Sequence, residues 1–129
     1  ICFFEGYEEG IGASIGFGMQ CIEPDVDAVI ISLADMPKIK YTSYLKLIKS
    51  FNENKYNEIC RLYSSKKMAG HPILFSKRFF ENLCFLSGDK GAKELIQESQ
   101  EYLCKIYHDD VSPTFDIDKK KDYEKWIKE

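Results

Sequence analysis

The sequence predicts an α/β domain, and three observations carry that expectation. Ala28-Val29-Ile30-Ile31-Ser32-Leu33 is a nearly continuous, β-branched apolar run. Tyr44, Leu47, Ile48 and Phe51 follow it at i, i+3, i+4 and i+7, the stripe of an amphipathic helix from Thr42 to about Asn54. Strand-like and helix-like segments then alternate along the remaining chain. Side chains leave a strand alternately to either face, so a run that is apolar at successive positions suits a strand buried on both faces of a mostly parallel sheet. The 28–33 run is the natural candidate for a central strand, and the helix after it completes a crossover unit.

The other elements are read in order. Ile1-Cys2-Phe3-Phe4 is an apolar, β-like start, followed by a glycine-broken loop over residues 5–14 and a short helix from about Ser14 to Cys21, with Ser14 as its N-cap. Residues 58–63 and 72–75 read as strands joined by the polar stretch 64–70. Helices are expected at about 76–85, with Phe79, Phe80, Leu83 and Cys84 inward, and at 89–99, with Ala92, Leu95 and Ile96 inward. Tyr102 to Tyr107 alternates like a strand, residues 110–113 form a turn, Phe115 and Ile117 alternate with Asp116 and Asp118, and a last helix carries Tyr123, Trp126 and Ile127.

Composition bounds the function without reaching it. The 129 residues, 44% hydrophobic and 30% charged, suit one globular domain. A formal net charge of -3 lacks the basic excess of a nucleic-acid binder, so no nucleic-acid partner is expected. No apolar run approaches the roughly 20 residues that cross a bilayer, so no membrane is expected and the expected compartment is the cytoplasm. Cys2, Cys21, Cys60, Cys84 and Cys104 are scattered and form no C-x-x-C pair, which fits reduced, packed thiols.

In an α/β sheet, ligands sit at the carboxyl ends of the strands, and the candidate residues follow from that rule. Asp35, in Leu33-Ala34-Asp35-Met36-Pro37, emerges just past the apolar run, where it is either a hard oxygen ligand for Mg²⁺ or a helix N-cap or loop acid in water. Asp116 and Asp118 project to one face of a strand-like segment. A shared divalent cation would offset their repulsion, and the alternative is that Asp118 caps the last helix with Asp116 exposed. His71, between Gly70 and Pro72, reads as a structural histidine when taken alone, and His108 reads as surface. Gly88-Asp89-Lys90-Gly91 is either a helix start able to hold an anion or ordinary turn chemistry. Gly10-Ile11-Gly12 is no dinucleotide loop, because the next glycine in register, Gly16, falls one position late, and no G-x-x-x-x-G-K motif exists.

Taken in order, the Gly10 to Ser14 loop, Leu33-Ala34-Asp35-Met36-Pro37, Gly70-His71-Pro72-Ile73-Leu74-Phe75, Gly88-Asp89-Lys90-Gly91-Ala92 and Asp116-Ile117-Asp118 ahead of Asp122-Tyr123 resemble the MobA-like NTP transferases over nearly the whole chain. The Gly-His-Pro and Gly-Asp-x-Gly-Ala segments are similar to those of the molybdenum cofactor cytidylyltransferases. The resemblance implies a three-layer Rossmann-like nucleotidyltransferase fold, with residues 1–129 as the C-terminal part of a single domain. It also implies transfer of CMP, or GMP, from an NTP to the phosphate of molybdopterin with release of pyrophosphate. CTP is the favoured donor, Mg²⁺ the cofactor, and a molybdoenzyme or its chaperone the implied protein partner. Asp35 and Asp118, with Asp116, would hold the metal. Gly12, Ser14, Pro37, Gly70, His71 and Pro72 would face nucleotide or acceptor, and Asp89 with Gly91 would shape the acceptor side.

Ala34 stands where the family usually has glycine, and Lys119-Lys120-Lys121 replaces its usual Thr-Pro-Glu, but neither change removes a carboxylate. The family's first strand, glycine-rich triphosphate loop and phosphate-binding lysine would lie before Ile1, so these residues are expected to carry half an active site and to be inactive alone. Two other enzyme-class and binding-class readings are a sugar- or polyol-phosphate cytidylyltransferase and a catalytically silent accessory domain. A phosphoacceptor receiver domain is excluded by spacing: Asp35 adjoins Met36 directly, and Ser32 stands where the phosphoacceptor would be.

Overall fold

The computed structural model describes residues 1–64, 67–108 and 124. After a 3-10 turn at Tyr7–Glu9, the elements are α1 (Ile11–Gln20), β1 (Ala28–Ile31), α2 (Tyr41–Glu53), β2 (Ile59–Ser64), β3 (Ala69–Ser76), a 3-10 turn at Lys77–Phe79, α3 (Phe80–Cys84), α4 (Lys93–Glu98), a 3-10 turn at Gln100–Tyr102 and β4 (Leu103–His108). The expected segment around Asp116 and Asp118 and the last helix lie outside the described residues.

The sheet runs β1-β3-β2-β4. β3 is antiparallel to both β1 and β2, and β2 is parallel to β4, so β1, β2 and β4 share one direction and β3 runs against them. The fold is thus α/β with a mixed sheet in which three of four strands are co-directional. One position differs from expectation: β1 lies at an edge of the described sheet, and its four residues are only half-buried. Apolar β-branched residues specify an extended segment covered on its faces, and that pattern says nothing about how many neighbours it has edgewise.

Two apolar clusters, one on each face, make three layers. Met19, Ile59, Ile73, Phe75, Phe79, Leu83, Ala92 and Ile96 pack under α1, α3 and α4. Leu47 of α2 meets Cys60, Leu62 and Leu74 on the other face. The division follows the period of the strands: in β2, Ile59 faces one cluster while Cys60 and Leu62 face the other.

Helix boundaries moved where local chemistry outweighed the cap signal. α1 begins at Ile11 with Gly10 as N-cap, so Ser14 is inside the helix and its Oγ lies 3.5 Å from the Gly10 carbonyl rather than capping. The 89–99 segment is helical only over Lys93–Glu98, because Gly88 and Gly91 take positive φ angles of 68° and 54° that break a right-handed helix. In α2 the sheet-facing stripe runs through Ser43, Tyr44, Leu47 and Phe51, leaving Ile48 exposed at its flank. No helix among the described residues is long and apolar enough to cross a membrane.

All five cysteines are free thiols, but only Cys60 is fully buried, with Cys84 and Cys104 half-buried and Cys2 and Cys21 exposed. Burial, and then the neighbouring Cys104, pushes the Cys60 thiol up to about 12. Cys60 is therefore predicted to resist alkylation by iodoacetamide at pH 8 in the native state while Cys2 and Cys21 react, as peptide mass mapping would check. Leu47→Ala, which empties a fully buried site between α2 and the sheet, is predicted to cost about 3 kcal/mol, read as a lower urea midpoint at unchanged slope.

Candidate functional site

A pocket of about 360 Å³ opens at the carboxyl ends of the co-directional strands. It is lined by Ile31 at the end of β1, by Arg61 late in β2, by Ala69, His71 and Ile73 of β3, by Ile11 and Ile15 of α1, and by Asp89 to Lys93 with Ile96. Because β3 runs against its neighbours, its first residues arrive at the same end of the sheet where β1 and β2 finish. This is where an α/β sheet is expected to hold ligands.

The mouth is built by a close approach between α1 and the loop after α3. The Gly12 amide donates to the Gly88 carbonyl at 2.8 Å. A Cβ on Gly12 would lie 2.5 Å from the Ser87 carbonyl oxygen, and one on Gly10 would lie 2.5 Å from Asp89 Oδ1. Gly10 also has φ 100°, a conformation that side chains disfavour. These contacts press the first turn of α1 against the 87–91 loop and bring Ile11 within reach of Gly91. Gly12 and Ser14 are thereby engaged in the scaffold and do not line the pocket, whereas Asp89 and Gly91 do.

On the floor, Arg61 Nε donates to the Gly70 carbonyl at 3.1 Å and so ties β2 to the Gly70-His71-Pro72 segment. The His71–Pro72 peptide is cis, and Pro72 is fully buried. His71 is half-buried, and its Nδ1 is buried without a hydrogen-bond partner among the described residues. Burial foremost, and then the Arg61 charge, holds the His71 imidazole below its ordinary value near 6.5, opposed by the nearby Ile31 backbone and by the Asp35 charge. The neutral form of His71 is thereby favoured.

Asp35 is exposed in the turn that follows β1, anchored by the buried Met36, while Pro37 beside it is exposed. Its charge is felt at His71, which puts it at the same end of the sheet as the pocket. Among the described residues no three His, Cys, Asp or Glu side chains converge on a metal position. Asp116 and Asp118 lie outside the described residues. The reading of Asp89 as a helix-starting cap is corrected, because helix α4 starts only at Lys93 and the Gly88 to Gly91 segment is a turn with two left-handed glycines.

Sequence reasoning passed over Arg61, Lys93 and the isoleucine walls. Arg61 carried a usable signal, an arginine at the alternation position shared with Ile59 in an otherwise apolar strand. The walls had none, since their residues come from four separate elements.

The comparisons with known proteins agree with this fold. Residues 4–103 match the MobA-like NTP transferase domain family. Among solved structures, Rv0371c from Mycobacterium tuberculosis H37Rv superposes with a TM-score of 0.77 at 24% identity, over 92% of this chain and 60% of that one. The same protein in complex with manganese gives 0.76 at 24% identity, over 91% and 60%. An Rv0371c homologue from Mycobacterium sp. strain JC1 gives 0.76 at 26% identity, over 90% and 56%. The chain thus spans 60% or less of the length of these structures. No curated protein is significantly similar to it.

Two outcomes test the site. Gly12→Ala would gain up to about 1 kcal/mol from helix propensity alone. The close approach to Ser87 reverses the sign, so thermal denaturation should show a lower midpoint. For His71, the unfolded chain binds a proton more readily than the folded one. Stability should therefore rise with pH between the depressed folded value and about 6.5, and be lost as pH falls through that window. Urea titrations at pH 5.5 and 7.5 should show His71→Asn flattening this dependence.

Proposed function

The chain belongs to the MobA-like NTP transferase domain family, and from that premise we propose that it forms part of a Mg²⁺-dependent nucleotidyltransferase that moves CMP, or GMP, from an NTP to the phosphate of molybdopterin, releasing pyrophosphate. The observation that carries the reading, in a chain of this family, is the coincidence at one end of the sheet of a pocket of about 360 Å³ and Asp35 just beyond β1. Residues 1–129 are read as the C-terminal part of one such domain.

The donor set suits the metal. An exposed carboxylate is a hard oxygen ligand, and Mg²⁺ binds through one or two carboxylates while water and phosphate oxygens fill the rest of its shell. Asp35, together with Asp118 and Asp116, would hold it. When bound, the metal neutralises charge developing on the transferred phosphoryl group and the leaving pyrophosphate. Manganese in the Rv0371c complex is compatible with a divalent ion in this fold.

The remaining work falls to positioning. The 87–91 turn and the first turn of α1 shape the acceptor side through Asp89 and Gly91, and the Gly70-His71-Pro72 segment forms the floor. A neutral His71 accepts or donates one hydrogen bond at Nδ1 without bringing a second cation next to Arg61. The apolar walls, Ile11, Ile15, Ile31, Ile73 and Ile96, favour an acceptor with an apolar or flat body over a bare polyol phosphate, whose hydroxyls would lose water there without replacement partners.

The test is pyrophosphate release by the full-length natural protein with Mg²⁺, molybdopterin, and CTP or GTP in turn. Release with one nucleotide is expected, and Asp35→Asn should lower it by about a thousandfold or more, with a thermal midpoint close to that of the wild type. Turnover retained in Asp35→Asn would remove the metal role. Release only with a sugar or polyol phosphate would reassign the acceptor, and no release with any acceptor would leave a silent accessory domain.

A further inference from the structure

We propose that Arg61 is the anion-binding residue of the pocket and pairs with the phosphate monoester of the acceptor. The proposal rests on the transferase reading and adds to it a specificity-determining residue outside the family-like motifs.

Arg61 occupies a position where packing alone would place an apolar side chain. Its neighbours in β2, Cys60 and Leu62, are fully buried on the opposite face, and across the sheet it stands between the core residue Ile73 of β3 and the exposed Lys105 of β4. A cation at such a place loses hydration. Half-buried charges are normally offset by a carboxylate, yet among the described residues none pairs with Arg61. What holds it is neutral: the Gly70 carbonyl, which accepts from Nε at 3.1 Å. The guanidinium is fixed in direction without being neutralised. That is the preorganised state of an arginine that binds an anion through its planar fork.

The surroundings have the same preference. Arg61, Lys90 and Lys93 line the pocket against one carboxylate, Asp89, and Lys90 is already engaged by Glu94. His71 contributes a buried, unpartnered Nδ1 a short way along the same floor. A phosphate oxygen on the guanidinium would offset its charge, and the ester's organic body would lie against the isoleucine walls. Phosphate also enters as the nucleotide's triphosphate, so the test separates the two sources.

Isothermal titration of the full-length natural protein would use phenyl phosphate as the monoester probe in metal-free buffer, and separately a non-hydrolysable CTP analogue with Mg²⁺. Arg61→Gln is expected to weaken phenyl phosphate about tenfold or more while leaving the CTP analogue within about twofold, and Arg61→Lys should recover part of the loss because the charge returns without the fork. Circular dichroism melting of both variants separates loss of binding from loss of fold, with Arg61→Lys carrying the test if Arg61→Gln does not fold. Undiminished phenyl phosphate binding in Arg61→Gln, or a loss confined to the CTP analogue, would overturn the proposal. Because the monoester arm contains neither metal nor nucleotide, its result is independent of whether the protein catalyses nucleotidyl transfer.

Discussion

Strand β3 is the element on which the rest of the structure depends, because it alone runs against the other described strands and joins the edge strand β1 to β2. Its reversed direction is what assembles the site. Ile73 and Phe75 go into the cluster beneath α1, α3 and α4, Leu74 goes into the cluster under α2, and the strand's first residues deliver His71 to the end of the sheet where β1 and β2 stop. A fourth strand running with the others would have carried those residues to the far end. The packed core and the pocket floor are therefore one continuous piece of backbone, and a shift of register in β3 would exchange its two faces and destroy both together.

The second constraint is steric. Helix α1 approaches the 84–88 segment so closely that Gly12 and Gly16 have backbone where a Cβ would stand. Small residues there let the helix and the loop share a surface, with the Gly12 amide satisfied by the Gly88 carbonyl instead of by solvent. An anion at this helix end would have to displace that bond. The positive character of the site comes instead from Arg61 at the floor and the lysines at the rim.

Electrostatically the pocket combines apolar walls, a fixed guanidinium and a neutral imidazole. The arrangement is coherent, because the same burial that raises the strength of an Arg61 contact also keeps His71 uncharged. A carboxylate such as Asp35, exposed and just beyond the strand, stays hydrated. Chemistry that handles highly charged phosphates needs both environments side by side, one to orient the organic part and one to manage charge.

Legibility in the sequence divided along the range of the interactions. The 28–31 strand, the α2 helix, the apolar period of β2 and the inward residues Ala92, Leu95 and Ile96 follow from near-neighbour periodicity, since each pattern is set by the geometry of one element. The ordered motifs around Asp35, His71 and Asp89 were also legible, and the α/β class with them. Tertiary structure alone decided that β1 sits at an edge of the described sheet, that β3 is reversed, that Gly10 caps α1 in place of Ser14, and that Arg61 stands beside His71 with no carboxylate partner among the described residues. The physical reason is common to all four. Strand order, direction, close backbone approach and charge pairing join residues far apart in the chain, and no local spacing records which distant partner a residue will meet.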